Sequence, residues 1–262
     1  MDNLGILVGC DVNLQSLLPW WWKHYSKHNT LPVAFANLGM TEKGINFCKE
    51  RGMVFPVHPK QQITRKSKLS PKIITSWENY GGKHLFNYRK AWLKKAYALF
   101  KSPFQKTIWI DIDCKVQGNL LSLFSLLDKS DIAMTKDFGE SLRSLLSKLK
   151  DKDPAISLDL QEFMLPRLPE EVIYNSGVIV YRTNVPFFTY FKKSIQEYEP
   201  ILPGDQDWIS RAVYLYNPPI VTLPQLYNWS HYWEENSLVQ ILHFHGFEGK
   251  EKILKDPSFS PL

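Results

Sequence analysis

Asp111 and Asp113 stand one residue apart in the run "KTIWIDIDCKVQGNL", residues 106–120. Two carboxylates so close repel each other unless something positive sits between them. In an extended segment the side chains at i and i+2 point the same way, so the pair can grip one divalent cation, which in turn can neutralise a diphosphate. A turn that leaves both acids in water is the plainer alternative. Two further polar groupings stand out. "YNSGVIVY" interrupts a strand with Asn175, Ser176 and Gly177, which fits a bulge where glycine supplies the loose geometry. "PGDQDWIS" sets Asp205, Gln206 and Asp207 at a helix start, where Asp205 reads as an N-cap and Asp207 as a first-turn acid favoured by the helix dipole. Gln206 has no such helical role.

The elements that must position these groups read as α/β. "LGILVGC" is a buried strand, and "LQSLLPWWWKHYSKH" follows with helical spacing, Pro19 marking a start or a kink. On that helix Trp20, Trp21 and Trp22 face different ways, so at least one belongs to the core. "PVAFANLG" is a second strand, "EKGINFCKERG" a short helix and "MVFPV" a third strand. Strands alternating with helices argue for a parallel sheet, whose ligands bind beyond the strands' carboxyl ends. Residues 57–83 lose periodicity and gather Lys60, Arg65, Lys66, Lys68, Lys72 and Lys83. "LFNYRKAWLKKAYALF" is a long amphipathic helix leading into "TIWI", so the two aspartates sit at such a carboxyl end. Downstream, "DIAMT" and "VIYNSGVIVYR" predict strands, and "GESLRSLLSKLKDKD", "FFTYFKKSIQEY" and "DQDWISRAVYLY" predict helices. "PPIVTL" and "LVQILHFH" supply the last strands.

Composition bounds the rest. With 262 residues, 44% hydrophobic and 14% aromatic, the chain can bury a substantial core. Its start, "MDNLGILVGCDVN", has an acid where a signal peptide carries Lys or Arg, and no stretch approaches the ~20 apolar residues that span a bilayer. Cys10, Cys48 and Cys114 are odd in number and lack CxxC spacing, which fits a reducing compartment and a cytoplasmic protein without a disulfide framework. A net charge of +6 points to an anionic partner.

In order and spacing these segments resemble glycosyltransferase family 8, nucleotide-sugar-dependent enzymes with a D-x-D motif. The resemblance implies an α/β, GT-A-type fold: a Rossmann-like mixed sheet flanked by helices, one domain over 1–262. Residues 1–118 would form its nucleotide-binding half, and 119–262 its acceptor-binding and metal-completing half. It implies retaining transfer of a hexose from a nucleoside diphosphate sugar, UDP-glucose or UDP-galactose, to a glycan or glycolipid acceptor. The cofactor would be Mn2+ or Mg2+. Nucleic acid is not an expected partner, and contact with a membrane would be peripheral. By the same resemblance Asp111, Asp113 and His243 would ligate the metal, with His245 as the alternative histidine. "GCDVN" would contact the nucleoside through Asp11 and Asn13, which otherwise cap the following helix. Arg89 or Lys90 in "NYRKAW" would be the base directed at the donor. Asp137 in "TKDFG" and Asn175 would lie near the transferred sugar, and Gln206, preceded by Asp205, close to the anomeric carbon. Gly246 and Lys250 belong to "HFHGFEGK", the family's final segment, with Lys250 facing the diphosphate. Here Lys250 arrives one residue late and "EKI" replaces the usual Lys-Pro-Trp.

Two rivals fail on pattern. A haloacid-dehalogenase-type phosphatase needs D-x-D-G-[T/V], and Cys114 and Lys115 follow here. A nucleotidyltransferase needs a Gly-rich loop after the first strand, which "GCDVNLQ" is not. A degenerate module that binds nucleotide sugar or glycan without turnover is the non-enzymatic alternative.

Overall fold

Short apolar runs buried on both faces pair edge to edge into the main sheet. In spatial order it comprises Met53–Pro56 (β3), Val33–Asn37 (β2), Leu4–Cys10 (β1), Lys106–Ile110 (β4), Val172–Arg182 (β7), Ile132–Ser141 (β6) and Val221–Thr222 (β8). Pairing is parallel from β3 through β4, antiparallel on either side of β7, and parallel again between β6 and β8. The sheet is therefore mixed, with β7 alone reversed. That reversal brings the amino-terminal half of β7, carrying Asn175 to Gly177, to the edge where β1, β4 and β6 end. The computed structural model describes residues 3–141 and 166–262.

A second, small sheet joins Cys114–Val116 (β5), Ile241–His243 (β10) and Trp229–Ser230 (β9). Seven helices are seen among the described residues: Leu18–His28 (α1), Glu42–Lys49 (α2), Pro71–Gly81 (α3), Leu85–Leu99 (α4), Pro186–Tyr198 (α5), Asp205–Tyr216 (α6) and Gly246–Leu254 (α7). Alternation along the strands feeds two cores. Ile6, Val8, Ile108 and Ile110 face α1 and the small sheet, while Leu7 and Trp109 face α4, α5 and α6. Trp20 and Trp21 are fully buried, so two of the tryptophan trio are core. Pro19 lies in the first turn of α1, a helix start rather than a kink.

The structure differs from the sequence reading at several places. Residues 57–83 contain a helix, α3, started by Ser70, whose Oγ accepts from Ile73 N at 3.3 Å, and by Pro71. Its apolar side (Ile73, Ile74, Trp77) is short, and the basic residues around it hid the period. The N-cap of α6 is Gly204, not Asp205, which is the first helical residue. β7 is continuous, and its polar trio appears as a register shift between Met134↔Ile179 and Thr135↔Asn175. Strand β5 and helix α7 were not expected. Of the helix expected over "GESLRSLLSKLKDKD", 139–141 belong to β6 and the remainder lies outside the described residues. No helix among the described residues is long and apolar enough to cross a membrane.

Candidate active site

β4 ends at Ile110, and Asp111 to Asp113 leave it in a turn rather than as an extended segment. Gly177 O accepts from Asp111 N at 2.8 Å, Asp111 O from Cys114 N at 3.0 Å, and Asp113 O from Phe244 N at 2.9 Å. The turn is thus pinned to β7 on one side and to the end of β10 on the other. It converges with β10 on His243, whose Nε2 lies 3.4 Å from Asp113 Oδ1 and 4.0 Å from Asp111 Oδ2. His245 is turned elsewhere, its Nε2 2.8 Å from Ser230 Oγ.

Which nitrogen of His243 carries the proton follows from one backbone group. Gly177 N–H can only donate, and it donates to Asn175 Oδ1 at 2.9 Å. The atom facing Asn175 Oδ1 at 2.8 Å is therefore a donor, Asn228 Nδ2, which also donates to Thr135 Oγ1 at 2.9 Å. That leaves Asn228 Oδ1 as the acceptor 2.9 Å from His243 Nδ1. Nδ1 of His243 is thus the donor to Asn228, which leaves Nε2, turned toward two carboxylates, as the nitrogen that can offer a lone pair to a cation. Three electron-rich atoms facing one another repel unless a cation lies among them, so the donor set fits a divalent ion with oxygen and imidazole ligands. Cys114 Sγ also falls within 4.8 Å of ligand atoms of Asp113 and His243. Burial, then Asp113 and Asp111, push its thiol well above the ordinary range, so it is protonated and suits Mn2+ or Mg2+ poorly. Gly177 is required here for space: a Cβ would lie 2.2 Å from His243 Cε1.

Two lysines complete the electrostatics. Lys95 is buried, 2.9 Å from Asp111 Oδ1 and 2.9 Å from Asp205 Oδ2, and donates to Ser176 O at 2.9 Å. Burial works against its charge, but Asp111 and Asp205 outweigh it and hold the ammonium above its ordinary range. Lys250 Nζ lies 2.5 Å from Asp113 Oδ2. Burial alone would raise the Asp113 carboxyl, yet the Lys250 ammonium holds it well below the usual carboxylate range. Asp111 shifts upward, because burial, reinforced by Asp113, exceeds what Lys95 takes back. Trp109 Nε1 donates to Asp111 Oδ1 at 2.7 Å.

Beside this centre lies an amide–carboxylate group. Asp137 accepts from Asn175 Nδ2 at 3.2 Å on one oxygen and from Gln206 Nε2 at 3.0 Å on the other. Gln206 Oε1 faces Ser176 N at 3.4 Å, and Ser176 Oγ donates to Asp205 Oδ2 at 2.8 Å. Asp207 is buried in an ion pair with Arg167. At the end of β1, Asp11 accepts from Asn13 N at 3.0 Å and Asn13 Nδ2 at 2.9 Å, a closed local turn rather than a helix cap. Gly246, at φ +77°, opens α7 in the left-handed region that favours glycine.

The expected donor-directed base needs correction. Arg89 is buried 2.6 Å from Glu199 Oε1, and it donates to Pro203 O at 3.1 Å and Thr64 O at 3.4 Å, all away from the carboxylates. Lys90 is exposed. The cation of α4 that reaches the centre is Lys95, which the sequence reading missed. A signal for it existed, because Tyr88, Trp92 and Lys95 share a helix face at i, i+4 and i+7. Trp92 lies under Gly204, and Tyr88 is within electrostatic reach of Lys250. Asn228 was missed too, and nothing local marks it.

No protein-family model matches the chain, and no curated protein sequence does. Solved structures do. The galactosyltransferase LgtC, in complex with donor and acceptor sugar analogs, is 12% identical with a TM-score of 0.59 over 98% of this chain and 97% of that one. Mouse xyloside xylosyltransferase 1 in its apo form is 14% identical, TM-score 0.54, over 92% and 97%. The glycosyltransferase GlyE of Streptococcus pneumoniae TIGR4 is 12% identical, TM-score 0.54, over 92% of this chain and 55% of that one. At such identities the likeness speaks for architecture alone: the chain has the GT-A fold of glycosyltransferases.

Proposed function

We propose that this protein transfers a hexose from a nucleoside diphosphate sugar to a hydroxyl of a glycan or glycolipid, with the help of a divalent cation and with retention of configuration. The observation that carries the reading is the Nε2 of His243 turned to Asp111 and Asp113, with Nδ1 engaged by Asn228, beside an amide-rich pocket edge. Asp111, Asp113 and His243 would hold Mn2+ or Mg2+, which when bound supplies Lewis-acid stabilisation of a departing diphosphate. Lys250 adds a point charge toward the same phosphates. Asp11 and Asn13, with Lys90 from α4, would form the nucleoside end, and Gly246 would let backbone approach the donor. Residues 1–118 thus serve the nucleotide, and 119–262 the acceptor and the rest of the metal site.

Neighbours named for galactose and for xylose share the fold, so the side chains must set the sugar. Asp137, Asn175 and Gln206 offer hydroxyl-binding groups for it, and UDP-glucose or UDP-galactose is the donor assigned. The engagement of the nearby carboxylates supports retention. An inverting enzyme needs a base on the face opposite the leaving group. Asp205 is bound to Lys95 and Ser176, Asp207 to Arg167, and both oxygens of Asp137 hold amide hydrogens. A front-face route, with a diphosphate oxygen taking the acceptor proton, asks no protein base at all.

Hydrolysis of UDP-glucose and UDP-galactose with and without Mn2+ tests the activity. Asp113→Asn should abolish metal-dependent turnover; wild-type metal-dependent rates in that variant would refute the assignment. NMR of the first-formed product from an α-linked donor tests the stereochemistry, and a β-linked product would overturn retention.

A further inference from the structure

The net charge of +6 is concentrated in one place. Between residues 57 and 90 the sequence has eight Lys or Arg and one acid, Glu78, and elsewhere acids and bases balance to within one charge. Arg89 is spent internally on Glu199. The other seven (Lys60, Arg65, Lys66, Lys68, Lys72, Lys83 and Lys90) are all exposed. Lys66 pairs with Glu78. Lys60, Arg65, Lys68, Lys72 and Lys83 meet no carboxylate among the described residues.

This surface is built rather than floppy. Helix α3 turns Lys72, Thr75 and Asn79 outward at i, i+3 and i+7, while beneath it Leu69, Trp77, Leu85 and Ile173 form a small buried cluster. The eleven-residue helix, about 16 Å long, carries the end of the basic run 65–72 in its first turn and is followed by Lys83 just past its last residue. Thr64 donates to both oxygens of Glu199, at 3.0 Å from N and 2.6 Å from Oγ1, and Arg89 binds the same carboxylate. The basic face is thereby fastened to the loop that leads into Asp205 and Gln206.

We propose that this face docks the protein on an anionic lipid bilayer. The chemistry of the cations decides for a diffuse surface. Six of the seven are lysines, point charges without the fork by which arginine recognises an individual carboxylate or phosphate. Among the described side chains between 57 and 90 no large apolar one is exposed, so attachment is electrostatic, at the headgroups, without insertion. The sugar-transfer reading enters only in naming the substrate: a protein held this way works on an acceptor anchored in the same bilayer.

Cosedimentation of the full chain with phosphatidylglycerol/phosphatidylcholine vesicles, against pure phosphatidylcholine, tests the proposal. The wild type should bind only the anionic vesicles and be released as salt rises from about 50 to about 500 mM. The combined variant Arg65→Gln, Lys68→Gln, Lys72→Gln, Lys83→Gln should bind roughly 10²–10³-fold more weakly, at about five-fold per cation. Its melting temperature and nucleotide-sugar hydrolysis should match the wild type. No binding to anionic vesicles, undiminished binding by the variant, or binding to a soluble acidic polysaccharide but not to vesicles overturns the docking. Vesicle binding that follows the expected pattern in a protein without hydrolysis supports docking and sinks the enzymatic reading alone.

Discussion

Asn228 is the residue on which the metal reading can be broken without touching a ligand. It is buried and makes three hydrogen bonds: two donated, to Thr135 Oγ1 and Asn175 Oδ1, and one accepted from His243 Nδ1. Asn228→Ala leaves the Nδ1–H of His243 without an acceptor. The imidazole then gains by moving its proton to Nε2, where Asp113 Oδ1 at 3.4 Å can receive it, and the metal-binding lone pair is lost. Removing the group behind a ligating histidine typically costs 10- to 100-fold in metal affinity, about 1.4–2.7 kcal/mol. Stability should fall by roughly 1–3 kcal/mol for the unmet buried donor.

Asn228→Asp separates the two effects. Its carboxylate still accepts from His243 Nδ1, more strongly than an amide, but it donates to neither Thr135 nor Asn175 and sets negative charge against Asn175 Oδ1. It should melt at least as early as Asn228→Ala yet bind Mn2+ within a few-fold of wild type. The assay is calorimetric titration of Mn2+ into the three proteins, with thermal melts of each in the absence of metal. If both variants lose Mn2+ affinity in step with their melting temperatures, packing rather than the proton on Nδ1 arranges the site, and the derivation fails.

Three further perturbations test other contacts. Gly177→Ala forces the His243 ring aside, since a Cβ there would lie 2.2 Å from Cε1 and 2.5 Å from Nδ1; we expect loss of the Mn2+ response and about 1–3 kcal/mol of destabilisation, and an unchanged Mn2+ titration would show that the ring is not held at this point. Lys95→Met strands Asp205 and Asp111, with an expected cost of roughly 3–5 kcal/mol in urea unfolding; a loss below about 1 kcal/mol contradicts the buried pairing. His24, hydrogen-bonded to Ser258 Oγ at 2.9 Å, is lowered to about 4, first by burial and then by Lys115. Its folded value lies below the unfolded one of about 6.5, so its contribution is full above that pH and is lost as pH falls toward 4. Melting temperature should decline across that window and decline less in His24→Gln; equal slopes in the two proteins would count against it.

What the sequence made legible was whatever is local. The short apolar runs "LGILVGC" and "TIWI" showed the central strands, and Asp111 and Asp113 showed themselves by repulsion at a strand end. Asn175 was visible as polarity inside an apolar strand, though only the antiparallel direction of β7 explains why it reaches the site. Asp205 looked like a cap because caps are local; its bonds to Ser176 and Lys95 cross from α6 to β7 and α4. Helix α3 hid behind its charges, and β5 is three residues long, stabilised by pairing with a strand more than a hundred positions away. Arg89 and Lys95 share one helix, and only the fold tells which of them faces Glu199 and which the aspartates.

The charge balance at the site ties these pieces together. Asp111, Asp113, Asp137 and Asp205 gather around two ammonium groups, Lys95 and Lys250, so the protein's own side chains leave an excess of two negative charges. Lys95 sits on the inner side and cannot leave Asp111 and Asp205 without stranding them; Lys250, a quarter exposed, is the cation free to share itself with a ligand. A diphosphate entering such a place on its own would meet repulsion. On the sugar-transfer reading a divalent cation reverses that sign, and because coupling between two ligands is reciprocal, the donor must strengthen cation binding by the same factor that the cation strengthens donor binding. On that reading the excess of carboxylates over lysines would make the two bind as a pair.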